Sequence, residues 1–297
     1  MSKILITGSA GFLGYHLMTQ LGASNDVVGI DNFMHASSAP HKNVKYGDVR
    51  YYRDIEDYIK WADEVYHLAA QIHVDKSISN PQETIDINVI GTLNVLELCR
   101  KYNKKLVFAS SSEVYGTSRS KFMKETHQLD PQSPYAASKV AADRLCHSYI
   151  KTYGMNICIL RNFNTFGEYQ ADDSYGGVIA RFTRKALLGE PLEVFGSGEQ
   201  ERDYMFIDDC VRGYMIASKY SGVLNVGTGE CVTINEVAEQ IKRITKSKSP
   251  IVHVNERPGE VMRLCADISL ANSLGFKPQT KFERDLRKYI NWYKKEL

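Results

Sequence analysis

The chain has 297 residues, of which 43% are hydrophobic, and a formal net charge of +2. This length and hydrophobic fraction suit one large globular domain or two modest ones. Positive and negative side chains are mixed along the chain, which excludes a nucleic-acid-binding stripe. No apolar run approaches the ~20 residues of a membrane span and no signal peptide is apparent, so we expect a cytoplasmic protein without membrane contact.

The first half of the chain alternates short β-branched segments with amphipathic ones. Strands and helices are predicted in the order strand Lys3–Thr7, a helix from Gly11, strand Val27–Ile30, strand Glu64–Leu68, helix Pro81–Tyr102 and strand Leu106–Ala109. Such alternation is typical of a parallel sheet with helices on both faces. Ligands of these sheets bind at the carboxyl ends of the strands.

The second half begins in the same rhythm and then becomes mixed. Its predicted elements are helix Tyr135–Tyr153, strand Asn156–Leu160, a glycine-rich stretch Gly196–Gly198, helix Ile234–Thr245 and helix Glu283–Lys295. The sequence therefore predicts an α/β fold of Rossmann type, a doubly wound parallel sheet, over residues 1–163. Residues 164–297 are predicted to form mainly a smaller mixed α/β substrate-binding lobe, with some strands and helices returning to the first domain.

A glycine-rich turn follows the first predicted strand. Gly8, Gly11 and Gly14 form a GxxGxxG pattern, and glycine there lets the backbone turn tightly and approach a pyrophosphate on the helix N–H groups. The second predicted strand ends at Asp31, whose carboxylate can hydrogen-bond the adenosine ribose and would repel a 2′-phosphate. The sequence therefore predicts NAD rather than NADP. The glycine spacing is similar to that of the short-chain dehydrogenase superfamily.

Tyr135 and Lys139 stand four residues apart on a predicted helix, so their side chains face the same way. We expect the lysine ammonium and the positive nicotinamide ring to lower the pKa of Tyr135, which makes it a base for a substrate hydroxyl. Ser111 follows the strand Leu106–Ala109 and is expected at its carboxyl end, where it can hydrogen-bond the reacting oxygen.

Taken together, these motifs resemble the nucleotide-sugar epimerase/dehydratase family of extended short-chain dehydrogenases over essentially the whole chain, nearest to its UDP-glucose 4-epimerase group. The matching positions are Gly8, Gly11, Gly14, Asp31, Asp48–Val49, His67–Ala70, Asn88, Ser110–Gly116, Tyr135, Lys139, Arg161–Asn164, Gly198–Tyr204 and Arg257–Glu260. The resemblance implies that Tyr135 is the base for the sugar C4 hydroxyl. It also implies that Lys139 orients Tyr135 and binds the nicotinamide ribose, while Ser111 assists.

The resemblance further implies two sets of binding residues. Those implied for NAD are Gly8, Gly11, Phe12, Leu13, Gly14, Asp31, Asn32, Asp48, Val49, Leu68, Ala69, Ala70, Asn88, Tyr135 and Lys139, with Asp48 and Val49 at the adenine. Those implied for the nucleotide-sugar are Ser111, Asn164, Val178, Arg202, Arg257 and Glu260. Asn164 and the two arginines are expected at the diphosphate, because guanidinium forks suit phosphate oxygens.

Oxidation at C4 is the shared first step in this family, and the step that follows is left open. A 4-epimerase returns the hydride to the other face of the keto sugar and needs no further acid or base. In 4,6-dehydratases a carboxylate at the position of Glu113 removes the C5 proton and an acid at that of Ser112 protonates the leaving hydroxyl. Glu113 fits that base, whereas Ser112 departs from the Asp-Glu pair of the deoxythymidine-diphosphoglucose dehydratases. A Ser-Glu pair does occur in dehydratases of guanosine-diphosphomannose type and in glucuronate decarboxylases.

Other segments divide between these reactions. Ile72–Ser77 is similar to dehydratases, whereas Gly176–Ile179 and Arg257–Val261 are similar to 4-epimerases. We therefore favour a 4-epimerase, with a 4,6-dehydratase and then a decarboxylase as alternatives. Glu113 can also be interpreted as a solvated or structurally paired carboxylate that takes no part in the reaction.

Several other side chains have predictions of their own. His67 is expected to be a packing residue near the cofactor, while His73 and Asp75 border the sugar. Core or wall positions are predicted for Tyr115, Tyr175 and Tyr204.

The six cysteines have no metal-site or CxxC spacing, so we predict reduced packing residues and no metal: Cys99, Cys146, Cys158, Cys210, Cys231 and Cys265.

The family commonly pairs its two long helices across a two-fold axis into a four-helix bundle, so we expect Pro81–Tyr102 and Pro134–Tyr153 to form a homodimer interface. Two remote alternatives remain. A non-catalytic NAD-binding protein is disfavoured by the intact Ser111, Tyr135 and Lys139. An NADP ketoreductase is disfavoured by Asp31 and the two arginines.

Overall fold

The structure is a computed structural model that describes residues 1–34, 36, 41–118, 120–172 and 176–297. Its strands are β1 Lys3–Thr7, β2 Asp26–Asp31, β3 Val44–Tyr46, β4 Glu64–His67, β5 Lys105–Ala109, β6 Ile157–Asn162, β7 Asn164–Phe166, β8 Leu192–Phe195, β9 Glu201–Phe206, β10 Gly222–Val226, β11 Cys231–Thr233, β12 Ile251–Val254 and β13 Arg263–Leu264. Its α-helices are α1 Phe12–Gly22, α2 Tyr52–Trp61, α3 Val74–Ser79, α4 Pro81–Ile85, α5 Gly91–Lys101, α6 Pro134–Tyr153, α7 Val178–Leu188, α8 Ile207–Ala217, α9 Ile234–Thr245, α10 Ser269–Ser273 and α11 Phe282–Glu296. Tyr175, predicted as a core or wall residue, lies outside the described residues.

Seven parallel strands form the central sheet, in the order β10-β6-β5-β4-β1-β2-β3. Helices cover both faces, because successive side chains of a strand point to opposite sides. On β1, Ile4 and Ile6 pack into the core that contains α1 and α8. Leu5 packs into the opposite core, which contains α2, α5 and α6. The predicted doubly wound Rossmann-type sheet is confirmed.

The strands of the second half form two small sheets and one addition to the central sheet. β9 lies between β11 and β13 and also pairs with β7, while β12 pairs with β8. β10 instead joins the central sheet beside β6, with Gly222 opposite Cys158. The proposed division into residues 1–163 and 164–297 stays a prediction.

Several elements were not predicted individually. In the first half these are strand β3 and helices α2 and α3, and in the second half they are strands β7 to β13 and helices α7, α8 and α10. The predicted helix Pro81–Tyr102 consists of α4, one π-helical turn over Asp86–Ile90, and α5. A π-turn inserts one residue into a helix without changing its hydrophobic pattern much, so the sequence does not reveal it.

The prediction that all six cysteines are reduced is wrong for one pair. Cys231 on β11 and Cys265, just after β13, form a disulfide with their Cα atoms 5.9 Å apart. The two residues are 34 positions apart and meet because their strands lie on either side of β9. Cys99, Cys146, Cys158 and Cys210 are free and buried, as predicted.

No α-helix within the described ranges is long and apolar enough to cross a membrane.

Candidate active site

One cavity of about 680 Å³ lies at the carboxyl ends of the central strands. It is bordered by residues that follow β1, β2, β4 and β5, and it continues to α7, β8 and β9. The sequence-predicted site residues that line it are Gly8, Gly11, Phe12, Leu13, Gly14, Asp31, Asn32, Asp48, Val49, Leu68, Ala69, Ala70, Ser111, Ser112, Glu113, Tyr135, Lys139, Asn164, Val178, Arg202, Arg257 and Glu260. One cavity therefore brings together both predicted sets of binding residues.

The glycine turn has no room for side chains at two of its positions. Gly8 has φ +71°, and a Cβ there would lie 2.6 Å from the backbone nitrogen of Ala69. A Cβ on Gly14 would lie 2.3 Å from the carbonyl oxygen of Gly8. The turn consequently packs directly against the loop after β4, and the N-terminus of α1 is left open to the cavity, a place suited to a phosphate.

Replacing Gly14 with alanine is expected to weaken NAD binding at least about tenfold, because the added methyl group must displace the Gly8 carbonyl. Gly22 provides the matched control, since it lies in the same helix and a Cβ there meets nothing within 4 Å. Gly22→Ala should leave NAD affinity unchanged and raise helix stability by up to about 1 kcal/mol. Calorimetric titration with NAD measures the affinity of both variants. Equal affinities of Gly14→Ala and Gly22→Ala would contradict the close approach of Gly14 to the Gly8 carbonyl.

The end of β2 carries the predicted adenosine side of the cavity. Asp31 accepts hydrogen bonds from the backbone nitrogens of Ala10 and Phe33, at 3.0 and 2.7 Å. Asp48 is buried and pairs with the guanidinium of Arg50 at 2.6 Å. Burial alone would raise the pKa of Asp48, but hydrogen bonds from Arg50 and Asn32 hold that pKa below its usual range. Asp48 is therefore an ionised, already paired carboxylate.

Asn88 is the predicted cofactor residue that does not line the cavity. It lies buried in the π-helical turn, where its Oδ1 accepts from the Gln71 nitrogen at 2.7 Å. Its Nδ2 donates to the Gln71 carbonyl and to the Ser138 hydroxyl, at 2.9 and 2.8 Å. A direct cofactor contact of Asn88 stays a prediction, and in the structure its amide holds the loop after β4 against α6.

His67 is a packing residue, as predicted. It is buried, and its ring nitrogens lie 2.7 Å from the Thr7 hydroxyl and 3.0 Å from the Thr92 hydroxyl. Burial, with a smaller contribution from Lys139, lowers the pKa of His67 to about 3. A neutral imidazole with both nitrogens engaged is not available for proton transfer in the cavity.

The first turns of α6 present the acid–base pair. Ser133 caps the helix by accepting from the Ala136 nitrogen at 3.1 Å, and Pro134 occupies its first turn. Tyr135 is 8% exposed and lines the cavity, and its backbone nitrogen donates to Ser77 at 3.0 Å. One turn later, the ammonium of Lys139 donates to the Ala109 carbonyl at the end of β5.

The electrostatics of Tyr135 differ from the sequence-based expectation. Burial raises the pKa of Tyr135 to about 12, a hydrogen bond with Ser111 opposes that rise, and the Glu113 carboxylate adds to it. Lys139 is buried as well, which lowers the pKa of its ammonium to about 8. The lowering of the Tyr135 pKa by Lys139 and the nicotinamide ring together stays a prediction, and in the protein alone burial has the larger effect.

Glu113 and Ser112 begin a 3₁₀ turn that Ser111 caps by accepting from the Glu113 nitrogen at 3.2 Å. Burial raises the pKa of the Glu113 carboxyl, Arg202 lowers it and Glu260 raises it. Glu113 thus faces the cavity between the acid–base pair and the phosphate-binding candidates. Its neighbour in the chain, Ser112, offers a hydroxyl and no acid.

Both candidate phosphate anchors already have carboxylate partners. Nη2 of Arg202 donates to Oε1 of Glu260 at 2.6 Å. Nη2 of Arg257 lies 3.5 Å from Oδ2 of Asp75, and its guanidinium lies 4.0 Å from the centre of the Phe195 ring. Asp75 therefore borders the cavity as predicted, and it links α3 to the loop that carries Arg257.

Four buried polar atoms on the cavity wall have no hydrogen-bond partner within the described part of the chain. Three of them are side-chain carbonyl oxygens and one is a hydroxyl, and they belong to Asn164, Gln170, Gln200 and Tyr214. Buried polar atoms are nearly always paired in folded proteins. These atoms are themselves shielded from the cavity, and of the four residues only Asn164 was predicted from the sequence.

The other predicted wall residues, Tyr115 and Tyr204, are buried, and Tyr115 donates to Asn225 at 2.7 Å.

A Rossmann-type sheet with a glycine turn, an acidic residue at the end of β2 and a cavity-facing tyrosine–lysine pair defines a dinucleotide-dependent enzyme. The model of the NAD dependent epimerase/dehydratase family matches residues 4–227. A putative UDP-glucose 4-epimerase from Methanocaldococcus jannaschii is 36% identical over 98% of this chain and 98% of its own length. UDP-glucuronic acid decarboxylase 1 from Danio rerio is 33% identical over 99% of this chain and 73% of its own.

Among solved structures, UDP-N-acetylglucosamine 4-epimerase from Methanobrevibacter ruminantium M1, in complex with UDP-N-acetylmuramic acid, has a TM-score of 0.93 at 33% identity. The match covers 100% of this chain and 99% of that one. The protein belongs to the NAD-dependent epimerase/dehydratase family. Because its relatives are named as epimerases and as decarboxylases, membership establishes NAD as the cofactor and a nucleotide-sugar class of chemistry, and the reaction has to be argued from the site.

Proposed function

We propose that the protein is a nucleotide-sugar 4-epimerase that oxidises C4 of its substrate transiently. The observation that supports this most is the joint placement of Ser111, Tyr135 and Lys139 on the cavity that also holds Arg202 and Arg257. Tyr135 takes the proton of the C4 hydroxyl, and Ser111 hydrogen-bonds the same oxygen. Lys139 supplies positive charge one helical turn away, and the arginines hold the diphosphate.

The cofactor fits the residues present, because Gly8 and Gly14 let the turn pack closely enough to leave the N-terminus of α1 open to the cavity. In this proposal the turn Gly8–Gly14 holds the pyrophosphate and Asp31 holds the adenosine ribose. The loop Leu68–Ala70 and Lys139 hold the nicotinamide end. Bound there, NAD would supply a reversible hydride acceptor for C4 and a positive ring that favours the tyrosinate form of Tyr135.

Epimerisation is favoured over dehydration by the residue at position 112. Loss of the C6 hydroxyl needs a proton donor beside the C5 base, and Ser112 offers a hydroxyl there instead of the carboxylic acid of the deoxythymidine-diphosphoglucose dehydratases. The dehydratase and decarboxylase alternatives keep one specific observation in their favour. Glu113 faces the cavity, and burial raises its pKa, which suits a base that takes a proton from carbon.

Incubation with UDP-, GDP-, CDP- and dTDP-sugars, including UDP-glucuronate, in deuterated water tests the reaction. We expect inversion at C4 with no deuterium in the product, because the hydride never exchanges with solvent. A 4-keto-6-deoxy product or released carbon dioxide, with deuterium incorporated, would reject the epimerase and place Glu113 in the chemistry. Nuclear magnetic resonance and mass spectrometry distinguish the products.

We also propose that the protein is a cytoplasmic homodimer whose subunits pair through α5 and α6. The neighbouring helical segments expose large apolar side chains, with Ile85 38% and Ile90 43% exposed. Ile90→Lys is expected to shift the protein from dimer to monomer in analytical ultracentrifugation, because a charge replaces buried apolar contact. A wild-type monomer at micromolar concentration would contradict this interface.

A further inference from the structure

The Cys231–Cys265 disulfide joins the two strands that flank β9. Cys231 lies opposite Asp203 in the antiparallel pair of β11 and β9, and Cys265 directly follows β13, which runs parallel to β9 on its other side. The two cysteines are 34 positions apart, and the covalent loop that they close contains α9, β12, β13 and residues 257–261. All five of those residues line the cavity. The disulfide therefore closes a loop that forms one wall of the proposed diphosphate site.

Strand β13 has a short attachment to β9. It is two residues long, and Arg263 lies opposite Glu201. The Glu201 nitrogen donates to the Met262 carbonyl oxygen at 2.9 Å. The side chains of Arg263 and Glu201 also form an ion pair, but they are 41% and 30% exposed, and exposed ion pairs contribute little stability. A covalent cross-link at the next residue, Cys265, therefore adds substantially to the attachment of this strand.

The loop closed by the disulfide contacts β9 again inside the cavity. Nη2 of Arg202 on β9 donates to Oε1 of Glu260 at 2.6 Å, and both residues line the cavity. Arg257 lies three residues before Glu260, so its position also depends on how firmly the chain leading to β13 is held. The loop presents Arg257 and β9 presents Arg202. The cross-link between these two elements thus helps to fix the spacing of the two arginines.

A second, noncovalent link joins the same elements. The buried carboxylate of Asp203 accepts hydrogen bonds from the backbone nitrogens of Thr228 and Gly229, at 2.8 and 2.9 Å. It also accepts from the Ala266 nitrogen at 3.4 Å. These bonds hold the chain before β11 and the residue after Cys265 without any contribution from the disulfide. We therefore expect cleavage of the disulfide to loosen the loop and to leave the protein folded.

Cys231 differs from the other cysteines in its exposure. It is partly exposed, whereas Cys265 is 4% exposed and the four free cysteines are buried. Thiol–disulfide exchange needs access to a sulfur atom, so Cys231 is the residue that an external thiol attacks. Neither cysteine of the pair lines the cavity, so their oxidation state acts on a bound ligand through the chain. In the cytoplasmic location proposed for this protein, disulfides are typically redox-sensing or catalytic.

We propose that Cys231 and Cys265 are a reversible thiol-oxidation site that controls nucleotide-sugar binding. The disulfide holds the loop for tight binding, and its reduction by a dithiol weakens binding. This inference rests on the proposed nucleotide-sugar function.

The redox step is an ordinary thiol–disulfide exchange. A thiolate of the dithiol attacks Sγ of Cys231, and the bond to Cys265 breaks with its electron pair on the Cys265 sulfur. The second thiolate of the dithiol then displaces Cys231 and closes the disulfide of the reductant. Two electrons and two protons pass to the protein, which gains two thiols, and a disulfide oxidant reverses the reaction.

Calorimetric titration of the oxidised and the reduced protein with UDP tests the proposal. Alkylation under denaturing conditions and mass spectrometry establish the state of the pair, with four labelled cysteines expected after oxidised glutathione and six after dithiothreitol. The reduced protein should bind UDP at least about tenfold more weakly, because a loosened loop must be ordered when the ligand binds. NAD affinity should change by less than about twofold, since none of the residues proposed to hold NAD lies between Cys231 and Cys265.

The double variant Cys231→Ser/Cys265→Ser should bind UDP like the reduced wild type, and dithiothreitol should not change its affinity. Cys99→Ala is the matched control, because Cys99 is a free, buried cysteine on α5 that does not line the cavity. It should keep the full response to dithiothreitol. Equal UDP affinities of the oxidised and reduced wild type would overturn the proposal. A double variant that still responds to dithiothreitol, or six free thiols after oxidation, would overturn it as well.

Hydrogen exchange locates the change within the chain. Amides of residues 256–264 should exchange at least about tenfold faster in the reduced protein, while those of β1 and β4 should exchange at the same rate in both states. Equal exchange of residues 256–264 in both states would contradict the loosening of the loop. If the double variant fails to fold, the two states of the wild type decide by the same measurements. Failure to bind any of UDP, dTDP, GDP and CDP in either state would instead contradict the nucleotide-sugar function itself.

Discussion

Tyr135→Phe is expected to lower kcat by about 10²–10⁴-fold, because it removes the group that takes the proton from the C4 hydroxyl. The substitution keeps the ring and its packing, so NAD affinity should change by less than about threefold. Tyr289→Phe is the matched control. Tyr289 is buried too, and its hydroxyl has no partner among the described residues, but it lies on α11 and does not line the cavity. Its variant should therefore turn over like the wild type.

The pH profile adds a readout that a structural role for Tyr135 would not produce. Its pKa is raised to about 12 in the protein, so the reactive tyrosinate is a minor form near neutrality and becomes more abundant as the pH rises. The log of kcat/KM should therefore increase with pH up to about pH 8, where Lys139 loses its proton, and flatten above. A Tyr135→Phe variant that kept the wild-type slope would show that another group is the base.

Asp143→Ala is expected to lower the free energy of unfolding by about 3–5 kcal/mol, because it leaves a buried guanidinium unpaired. Oδ2 of Asp143 accepts from Arg161 Nε at 2.9 Å, and the two side chains are 0% and 1% exposed. The Ser110 hydroxyl also donates to Oδ2, at 2.8 Å. Loss of the carboxylate should thus loosen the segment that carries Ser111 and lower activity as well.

Denaturant unfolding of Asp143→Ala and Asp208→Ala separates this effect from any general loss of charge. Asp208 pairs with Lys288 on the surface, where the two side chains are 58% and 50% exposed. Asp208→Ala should therefore change the free energy of unfolding by no more than the experimental error. A similar midpoint for both variants would mean that the buried pair contributes no stability.

The buried pair also predicts an acid limit to stability. Burial by itself would raise the pKa of Asp143, but the hydrogen bonds and charge of Arg161 hold that pKa below its usual value. The pKa of Asp143 in the folded state lies below its unfolded value of about 3.9. The contribution of the ionised carboxylate to stability is therefore complete above about pH 3.9. It is lost as the pH falls through the folded pKa. Asp143→Ala should therefore show a weaker acid dependence than the wild type between about pH 5 and pH 2.

The central sheet and the cofactor turn could be predicted because their signals are local. These signals all fall within the first 31 residues, namely strand β1, the three glycines and Asp31. Each of them is explained by a local requirement of the backbone or of hydrogen bonding. The tyrosine–lysine pair is local too, being four residues apart on one helix. Such features depend on periodicity and turn chemistry, which a single sequence contains.

Features that depend on distant partners could not be predicted in the same way. Arg202 and Glu260 are 58 positions apart, and nothing in either neighbourhood shows that they form an ion pair. The Cys231–Cys265 disulfide depends on two strands meeting at β9. The rise that burial causes in the Tyr135 pKa could not be predicted either, because the tyrosine–lysine spacing shows a favourable charge but not the depth of burial.

Gln200 was missed for a different reason. A glutamine between charged residues before a strand is an ordinary surface pattern. Only the structure shows that its amide NH₂ donates a hydrogen bond while its carbonyl oxygen has no partner among the described residues. Asn88 shows the reverse case. It was predicted to bind the cofactor, and the structure uses its whole amide inside the protein.

The position of β10 has a consequence for how the protein can be made. Its neighbour β6 ends at Asn162, yet the strand that covers the outer edge of β6 is not synthesised until residue 226. Until then a ribosome-bound chain exposes an unpaired edge next to Ile157, Ile159 and Leu160, which are fully buried in the finished fold. A fragment ending at residue 163 should accordingly aggregate on expression, whereas one ending after β10 should be recovered in larger amounts from the soluble fraction.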